Sequence, residues 1–476
     1  MASKTRVLPR VIRLFDMVLF YIAAILVVGR LSAAAALGVP SLSLWIITAI
    51  IYFIPTALIV AELGTGWPGE GGIYIWTKQA MGNFSGFICG WFYWANNLVW
   101  YPMMLFGLVA ILSKIYCPGV TLDTTIIAII SLAVLWFITI TNVLGLNIGK
   151  WVPNIGTISK FLFIAILITL CFGFSLVHGL ANDFAPQNWI PTLEMTWSYV
   201  AVFAYAYAGH EGLSSLGDEC EDPERNIPRA ILLSAIIIAL VYMLSSFAIL
   251  AVNPTSNILF GEYDAINYVL ELYGIRSLIY LVGILLILTD MGGIASWIII
   301  PSRVLFSTGL NKQLPEVFSH INSRFKTPDY ALIIQAVISS VLIVGYYNPS
   351  LEILFWTLFA TASILYFISA IFLYIDVIIL RIKRSEVPRR FHIPGGLLGT
   401  IVVSLPPLIL SLVTMALCFL PPPEAEPLSY EIMVAGGTLI FVLSAIIIYV
   451  VMSKRLRKET IEKKLILNTT ANISSF

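Results

Sequence analysis

The sequence predicts an all-α polytopic membrane protein with about twelve transmembrane helices. Hydrophobic residues make up 59% of the 476 residues and charged residues only 11%, and the mean hydropathy is +0.93. Apolar runs long enough to cross a bilayer, about 20 residues each, recur along the whole chain between polar loops. A soluble domain of this size does not need so much apolar surface.

The first apolar run covers residues 14–37 and carries Gly29 and Arg30 well inside it. A cation near the bilayer centre costs roughly 2.5–3.5 kcal/mol on insertion scales, so it usually faces a cavity or a partner. The alternatives are that Arg30 snorkels to the interface or belongs to a structural ion pair. A cleaved signal peptide is disfavoured, because many more spans follow and the charge interrupts the run.

Hydropathy also predicts the remaining spans and their orientation. They lie near residues 41–64, 86–112, 125–145, 154–178, 195–216, 228–252, 276–306, 330–347, 351–380, 398–420 and 430–452. Of the 27 Lys and Arg residues, nearly all lie on one side, whereas only Lys114 and Arg276 lie in loops of the other. The positive-inside rule therefore predicts an integral protein of the cell or plasma membrane with both termini in the cytoplasm.

Composition and motifs argue against several other classes. The five cysteines are scattered and odd in number, so we expect neither a disulfide framework nor a metal site. No Walker-type phosphate loop is present, which disfavours ATP-driven pumping. No nucleophile–base arrangement stands out, so we expect no catalytic residue, no cofactor and no enzyme activity. The net charge of +1 gives no indication of a nucleic-acid partner.

Three stretches together carry a recognisable pattern. The second span ends in AEL at 61–63, followed by GWPGEGG at 66–72 and the amphipathic run IYIWTKQAMG. This pattern resembles the first cytoplasmic loop and third helix of amino-acid permeases of the amino acid–polyamine–organocation superfamily. The run VFAYAYAGHEGLSSLGDECEDPERNIPRAI at 202–231 is similar to the family's sixth helix, and GGIASWIIIPSRVLFSTGL at 292–310 to its eighth. The resemblance covers spans one to ten, and the last two spans match only in number and placement.

The resemblance implies a five-plus-five inverted repeat of the LeuT type, in which helices one and six are broken at mid-membrane. The implied units are a cytoplasmic N-terminal segment (1–13), a first repeat (14–178), a second repeat (195–380), two additional helices (398–452) and a cytoplasmic tail (453–476). Broken helices expose unpaired N–H and C=O groups, which suit the carboxylate and ammonium groups of an amino acid.

The predicted substrate site lies at these two breaks. In span six, Gly209 and Gly212 bracket His210 and Glu211, although two glycines also permit close helix packing. By resemblance, the position of His210 usually holds an aromatic residue that caps the substrate, and an imidazole could also confer pH dependence. The family's glycine-rich G-x-G-x-G-I-F stretch is reduced here to one glycine, so we expect Arg30 to take over part of its role. The predicted substrate-binding residues are Val28, Gly29, Arg30, Tyr207, Gly209, His210 and Glu211.

Lys160 is the predicted coupling residue. It lies in the apolar fifth span, where an isolated cation is costly. By resemblance, sodium-independent members place a lysine where sodium-coupled relatives bind sodium, and its ammonium props helix one against helix eight. The alternatives are a proton carrier and a lysine that snorkels to the interface. Asp290 and Glu211 are the acids that we expect to neutralise Arg30.

Two further groups have open roles. An aromatic and amide face on span three either packs between helices or lines a solute path, and it comprises Trp94, Asn96, Asn97, Trp100 and Tyr101. Residues near the predicted cytoplasmic loops are expected to serve gating or folding, namely Glu62, Glu70, Glu219 and Arg229.

The sequence therefore predicts a sodium-independent secondary transporter that moves amino acids by alternating access, through proton symport or exchange. The predicted partners are an amino-acid substrate, the lipid bilayer and, for symport, protons. A polyamine or organic-cation carrier is the main rival, favoured if Glu211 or Asp290 faces the pocket unpaired. A non-transporting membrane subunit or sensor is a second rival. The class of side chain, the direction of transport and the oligomeric state stay open.

Overall fold

The computed structural model of the chain describes residues 8–120, 122–254, 261–345, 351–421 and 426–473. Over these residues the regular structure is helical, with two isolated β-bridges and no named strand. Most of the predicted N-terminal segment, the end of predicted span nine at 346–347 and tail residues 474–476 lie outside the described residues.

Seventeen α-helices are numbered here in chain order. The first nine are α1 (Leu14–Ile25), α2 (Gly29–Ala35), α3 (Pro40–Thr48), α4 (Ile54–Gly66), α5 (Ile73–Met81), α6 (Asn83–Tyr116), α7 (Thr124–Val143), α8 (Leu146–Gly149) and α9 (Trp151–His178). The others are α10 (Leu193–Ala206), α11 (Pro223–Val252), α12 (Gly261–Leu272), α13 (Ile279–Leu310), α14 (Asp329–Gly345), α15 (Leu351–Lys383), α16 (Gly396–Leu417) and α17 (Pro427–Ile473). A π-helical turn at Ala49–Phe53 joins α3 to α4.

The described residues contain nine helices long and apolar enough to span a membrane, or ten if the bent pair α1–α2 counts as one span. The prediction of an all-α polytopic membrane protein is therefore confirmed. Within the described residues, two predicted spans fall short of the usual length, because α10 has 14 residues and α14 has 17. The exact number of twelve spans stays a prediction. At the C-terminus, α17 continues as helix through the predicted tail to Ile473.

Both helices predicted to be broken are interrupted. The axes of α1 and α2 differ by 46° across the segment from Leu26 to Val28. In span six, α10 ends at Ala206 and a 3₁₀ turn follows at Gly212–Ser215. Between them Gly209 has φ +113°, a conformation that side-chain-bearing residues rarely adopt. The chain can therefore turn sharply inside the bundle at this point.

Two glycines bring the fifth and eighth spans into close contact. A Cβ atom on Gly156 of α9 would lie 2.6 Å from the Cα atom of Gly292 of α13. Only glycine at both positions permits this approach without displacing backbone. The contact holds Lys160, one turn after Gly156, beside both α1 and the Asp290 region of α13.

The helix α12 was not predicted from the sequence. α12 lies between the seventh and eighth predicted spans and is too short and polar to give a hydropathy peak. It is amphipathic, since Ala265, Ile266, Val269 and Leu270 are buried while Glu271 is exposed. This spacing at three and four residues is typical of a helix lying on a protein surface. The amphipathic run that follows the second span forms α5.

Candidate functional site

A small inner cavity of about 20 Å³ lies between the two broken spans and α6, α13 and α15. The space holds about one water molecule, so a larger solute requires the lining side chains to separate. Arg30 is the charged residue of this lining, and no described carboxylate contributes to it. The lining consists of Ala24, Ile25, Val27, Arg30, Asn96, Asn97, Trp100, Tyr205, Ala208, Trp297 and Tyr366.

An outer cavity of about 80 Å³ adjoins the inner one, and the two share Val27 and Arg30. Its wall is mostly apolar, with Met103, Leu108 and Phe359 among its residues. Asp290 also borders it, as does the predicted site residue Gly29. Val28 is buried and lines neither cavity.

Arg30 lies between two aromatic rings. Its guanidinium carbon is 4.7 Å from the centroid of Tyr205 and 4.9 Å from that of Phe359. Such cation–π contacts are worth about 0.5–2 kcal/mol. Arg30 forms no ion pair with a carboxylate among the described residues, so the expected pairing with Asp290 or Glu211 is not seen. The reason is that each of these acids faces another group.

Lys160 is 1% exposed and lies at the break in span one. Its ammonium donates to the carbonyl oxygens of Ile22 at 3.3 Å and Ala23 at 3.2 Å, and also to that of Leu26. Asp290 interacts electrostatically with it from α13. Snorkelling does not describe this lysine, because its head group binds carbonyls inside the bundle. It joins α9, α1 and α13.

Other side chains bind the remaining carbonyls of this break. Trp297 Nε1 donates to the Ala24 oxygen at 2.8 Å. The Tyr242 hydroxyl donates to the Ile25 oxygen at 2.8 Å and accepts from the Val27 N–H at 3.0 Å. Neither residue was among the predicted site residues. An indole or phenol in an apolar span has no signal in one sequence that distinguishes this contact from ordinary packing.

At the break in span six, the Gly209 N–H donates to the Tyr366 hydroxyl at 2.9 Å. That hydroxyl in turn donates to Glu211 Oε2 at 3.2 Å. Glu211 is buried and its other oxygen, Oε1, has no hydrogen-bond partner among the described residues. Gly209 and Glu211 thus lie behind Tyr366, which itself borders the inner cavity.

Two residues predicted to bind substrate, His210 and Tyr207, line neither cavity. His210 is hydrogen-bonded through Nδ1 to the Tyr21 hydroxyl and packs 4.3 Å from the ring of Phe53. Tyr207 stacks on the same phenylalanine, with ring centroids 4.2 Å apart. Tyr205 and Ala208 line the inner cavity instead. The YAYAGH run indicates an aromatic segment at the break, but it does not indicate which ring faces inward.

On span three, the structure separates the predicted face into two parts. Asn96, Asn97 and Trp100 line the inner cavity. Tyr101 does not, because its hydroxyl donates to the Trp297 carbonyl at 2.6 Å, and Trp94 packs against Trp91. The amide pair therefore contributes neutral polar groups to the cavity wall.

A second buried polar cluster lies away from the cavities, near the N-terminal residues. Arg303 donates through Nε and Nη2 to Glu219 at 2.9 and 3.0 Å, and its Nε is 3.7 Å from Glu70. Burial and the neighbouring Glu219 raise the pKa of Glu70 well above its usual value, and Arg303 opposes this shift. The backbone N–H groups of Val11 and Ile12 donate to the Glu219 carbonyl at 2.9 and 3.1 Å. The cluster ties the N-terminal segment to α13.

A third cluster joins the end of α4 to the end of α15 and the segment after it. Glu62 accepts from Arg381 at 2.5 and 2.6 Å, from Arg389 at 2.9 Å and from the Ile393 N–H at 2.8 Å. Of the residues predicted to serve gating or folding, Glu62 belongs to this cluster, and Glu70 and Glu219 belong to the Arg303 cluster. Arg229 belongs to neither and is exposed.

Comparison with known proteins agrees with this architecture. Residues 12–451 match the family model described as amino acid permease. The chain is 29% identical to an uncharacterized transporter of Legionella pneumophila, over 91% of this chain and 95% of that protein. It is 26% identical to a probable agmatine/putrescine antiporter of Lactococcus lactis, over 90% and 92% of the two chains. It is also 26% identical to a branched-chain amino acid permease of Bacillus subtilis, over 83% and 85%.

These relatives are transporters and not enzymes, and the family model covers nearly the whole chain. The matched region contains both broken spans, the cavities between them and the Arg303 cluster. This protein is an integral membrane transporter, and it belongs to the amino acid permease family.

Proposed function

We propose that this protein is a secondary transporter that moves amino acids across the membrane by alternating access, without sodium, by proton symport or exchange. The observation that carries the proposal is the position of Arg30, which borders both cavities and is held by aromatic rings instead of an acid. Its cation is therefore available to a substrate carboxylate, for which a guanidinium offers bidentate hydrogen bonds.

The proposed architecture is a five-plus-five inverted repeat, with repeats at 14–178 and 195–380 and two additional helices at 398–452. Interruptions of the first helix in each proposed repeat support it. The proposed orientation has both termini in the cytoplasm, supported by the excess of Lys and Arg in loops on their side. In this orientation the Arg303 and Glu62 clusters close the cytoplasmic end, and the outer cavity leads from the opposite side.

Sodium independence is supported by the three carbonyl contacts of Lys160. The same oxygens would be the natural ligands of a hard cation at this break. We predict that replacing sodium with choline leaves the uptake of labelled amino acids into proteoliposomes unchanged within about twofold. If uptake is lost when choline replaces sodium, transport depends on sodium and Lys160 does not have the proposed coupling role.

The role of the break in span six can be tested at Gly209. A Cβ atom there would lie 2.7 Å from the Trp297 ring, and the φ of +113° is strained for leucine. Gly209→Leu is therefore expected to abolish substrate binding by pushing Trp297 into the inner cavity. The measurement is binding by the purified variant, with monodisperse elution from a sizing column as the folding control. If the folded variant binds substrate with wild-type affinity, the break in span six is not part of the substrate site.

A polyamine or organic-cation carrier is the second candidate. Asp290 borders the outer cavity, and one relative is a probable agmatine/putrescine antiporter. Counterflow in proteoliposomes with an amino-acid panel beside putrescine and agmatine separates the two candidates. Acceleration only by the amines would replace the first proposal with the second. Exchange and symport are separated in the same system by imposing a pH gradient without internal substrate.

A further inference from the structure

We propose that the carboxyl of Asp376 binds the proton that this protein moves with its substrate, and that α5 is the lid which covers this proton site. Asp376 lies in α15, about two turns before that helix ends at Lys383. The inference rests on the proposed function and deepens it, because it selects proton symport and names the residue that binds the proton. Asp376 was not among the predicted site residues.

Asp376 is a buried carboxyl with a single hydrogen-bond partner. It is 0% exposed, and its Oδ2 atom lies 2.5 Å from the Thr77 hydroxyl of α5. Its Oδ1 atom has no partner among the described residues, and no described Lys, Arg or His forms an ion pair with it. An ionised carboxylate inside a membrane span is costly without a cation or several donors. These surroundings therefore suit the protonated carboxyl.

The contacts of Thr77 agree with a proton on Asp376. Its hydroxyl lies 3.0 Å from the Ile73 carbonyl oxygen as well as 2.5 Å from the carboxyl. A threonine hydroxyl carries one proton, and a carbonyl oxygen can only accept. Both hydrogen bonds exist together only if Thr77 donates to Ile73 and the carboxyl donates to Thr77. An ionised carboxylate would leave one of the two contacts without a proton.

The helices packed against α15 bring no balancing charge to Asp376 from the described residues. From α6, the titratable group that interacts with it is the Cys89 thiol, which carries no positive charge. No titratable side chain occurs in α16. Groups on the remaining neighbours have partners of their own: Tyr74 of α5 binds Gln313, Lys78 of α5 binds Asn311, Glu62 of α4 binds Arg381 and Arg389, and Tyr449 of α17 packs on Phe84.

The helix α5 separates Asp376 from the protein surface. Thr77 lies on its buried face, whereas Gln79 is exposed. Glycines in the left-handed region lie at both ends of this helix, with φ +36° at Gly72 and +91° at Gly82. Glycine changes its backbone conformation at low steric cost, so α5 can tilt as a unit about these ends. Tilting would admit water to Asp376, from the cytoplasmic side in the proposed orientation.

The start of α5 is joined to the break in span six. The Gly71 N–H donates to the Ser215 carbonyl oxygen at 3.1 Å. A Cβ atom on Gly72 would lie 2.9 Å from the Ser215 nitrogen, so the two segments are in close contact. Ser215 ends the 3₁₀ turn that follows the break. A movement of the broken span on substrate binding would therefore be passed to α5.

A polar seam leads from the inner cavity to Asp376. Tyr366, Ser369 and Asp376 follow one another at intervals of three and seven residues, which places them on one face of α15. Tyr366 borders the inner cavity, and the Ser369 hydroxyl donates to the Cys89 carbonyl oxygen at 2.9 Å. The seam is about 15 Å long. A proton can thus enter from the cavity side, bind Asp376 and leave when α5 tilts.

The bound proton can be observed without a substrate, in the purified full-length protein. A protonated carboxyl has an infrared C=O band separate from the carboxylate bands, and exposed acids are ionised at about pH 8. We expect the wild type to show this band and Asp376→Asn to lose a component of it. Asp329→Asn is the matched control and should lose none, because the buried Asp329 has partners for both oxygens in His320, Asn322 and the Tyr330 N–H. Identical wild-type and Asp376→Asn spectra would contradict the inference.

A second variant keeps the carboxyl and covers the case in which Asp376→Asn does not fold. Thr77→Val removes the single hydrogen-bond partner, so the C=O band should move to higher frequency. Thr139→Val is its control, because Thr139 is equally buried and makes the same kind of contact, to the Leu135 oxygen at 2.8 Å, without an acid. A band that does not move in Thr77→Val would show that the protonated group is not Asp376.

Transport is measured in proteoliposomes with L-leucine, L-serine and L-glutamate as probes. In the wild type, we expect a pH gradient to drive uptake of any probe that shows counterflow. Asp376→Asn should reduce gradient-driven uptake, relative to counterflow in the same vesicles, to the level of protein-free vesicles, because an amide cannot bind the proton. Gradient-driven uptake that survives Asp376→Asn would overturn the inference, and its loss in Glu211→Gln would then place the proton site at span six.

The inference and the proposed function fail in different ways. Wild-type counterflow without any gradient-driven uptake would refute the proton site and leave amino-acid exchange standing. If no amino acid of the panel shows counterflow, the proposed function is wrong, and the infrared comparison still decides whether Asp376 holds a proton.

Discussion

Arg30 and Arg303 are two arginines buried to nearly the same degree, 6% and 1% exposed, with opposite surroundings. Arg303 donates to Glu219 through two nitrogens and to the Ser302 hydroxyl through a third, with Glu70 close by. Arg30 contacts the faces of Tyr205 and Phe359. The Arg303 guanidinium donates a hydrogen bond through each of its three nitrogens, whereas that of Arg30 donates none to the residues that the structure describes.

This difference indicates what each arginine does. A buried ion pair is costly to break because the remaining charge is stranded. Arg303 therefore acts as a link between α13, the loop after α4 and the segment that binds the N-terminal residues. A cation held by ring faces can be given a new anionic partner without stranding another charge. This difference supports the proposed role of Arg30 in binding a substrate carboxylate.

The largest loss of stability is expected for Arg303→Met. The substitution strands Glu219 and Glu70 in a buried site, at a cost of roughly 3–5 kcal/mol. The measurement is the thermal midpoint in detergent, with transport assayed only on protein that elutes as a single species. Arg303→Met combined with Glu219→Gln and Glu70→Gln should recover part of the loss. If the triple variant is no more stable than Arg303→Met alone, the stranded charges of Glu219 and Glu70 are not the cause of the loss.

Arg30→Ala is expected to lower stability less than Arg303→Met does, and to weaken substrate binding strongly. Loss of the cation–π contacts costs about 0.5–2 kcal/mol of stability. Loss of a charged hydrogen bond to the substrate costs roughly tenfold to a hundredfold in affinity. Arg30→Lys should keep more binding than Arg30→Ala, since the charge is retained.

The control for this prediction is Asp290→Asn, alone and combined with Arg30→Ala. Because no ion pair joins these residues in the structure, their stability losses should add. Recovery of stability in the double variant would show that they pair in another conformation of the transport cycle. The contrast between an ion-paired Arg303 and an Arg30 without an ion pair would then apply only to the conformation described here.

The smallest effect is expected for Glu70→Gln, which tests the electrostatics of the Arg303 cluster. Burial and Glu219 raise the pKa of Glu70 in the folded protein, so this carboxyl favours folding when protonated and disfavours it as pH rises. The variant should therefore be more stable than the wild type at pH 8, where the buried wild-type carboxyl has to ionise or stay protonated against the pH. The difference should shrink as pH falls toward the ordinary pKa of 4.5. A constant difference between pH 8 and pH 5 would contradict the shift.

The sequence by itself determined the membrane class, the position of most spans and the family. Transfer of about 20 apolar residues into lipid is a local property of the chain, so hydropathy alone can locate a span. The interruption around Gly209 was also predictable, because glycines that flank polar residues in an apolar run weaken the helix. Lys160 and Arg30 were predictable as functional candidates, since an intramembrane charge is costly wherever it lies.

The tertiary structure alone decided which side chains face each other. Tyr205 lines the inner cavity and Tyr207 packs against Phe53, although both belong to the same short run. The partners of Arg30 are rings and not acids, because Lys160 and Tyr366 already engage Asp290 and Glu211. Hydropathy gives the cost of burying a group but not the direction in which it points. That direction depends on the neighbouring helices, whose relative rotation is fixed only when the whole bundle packs.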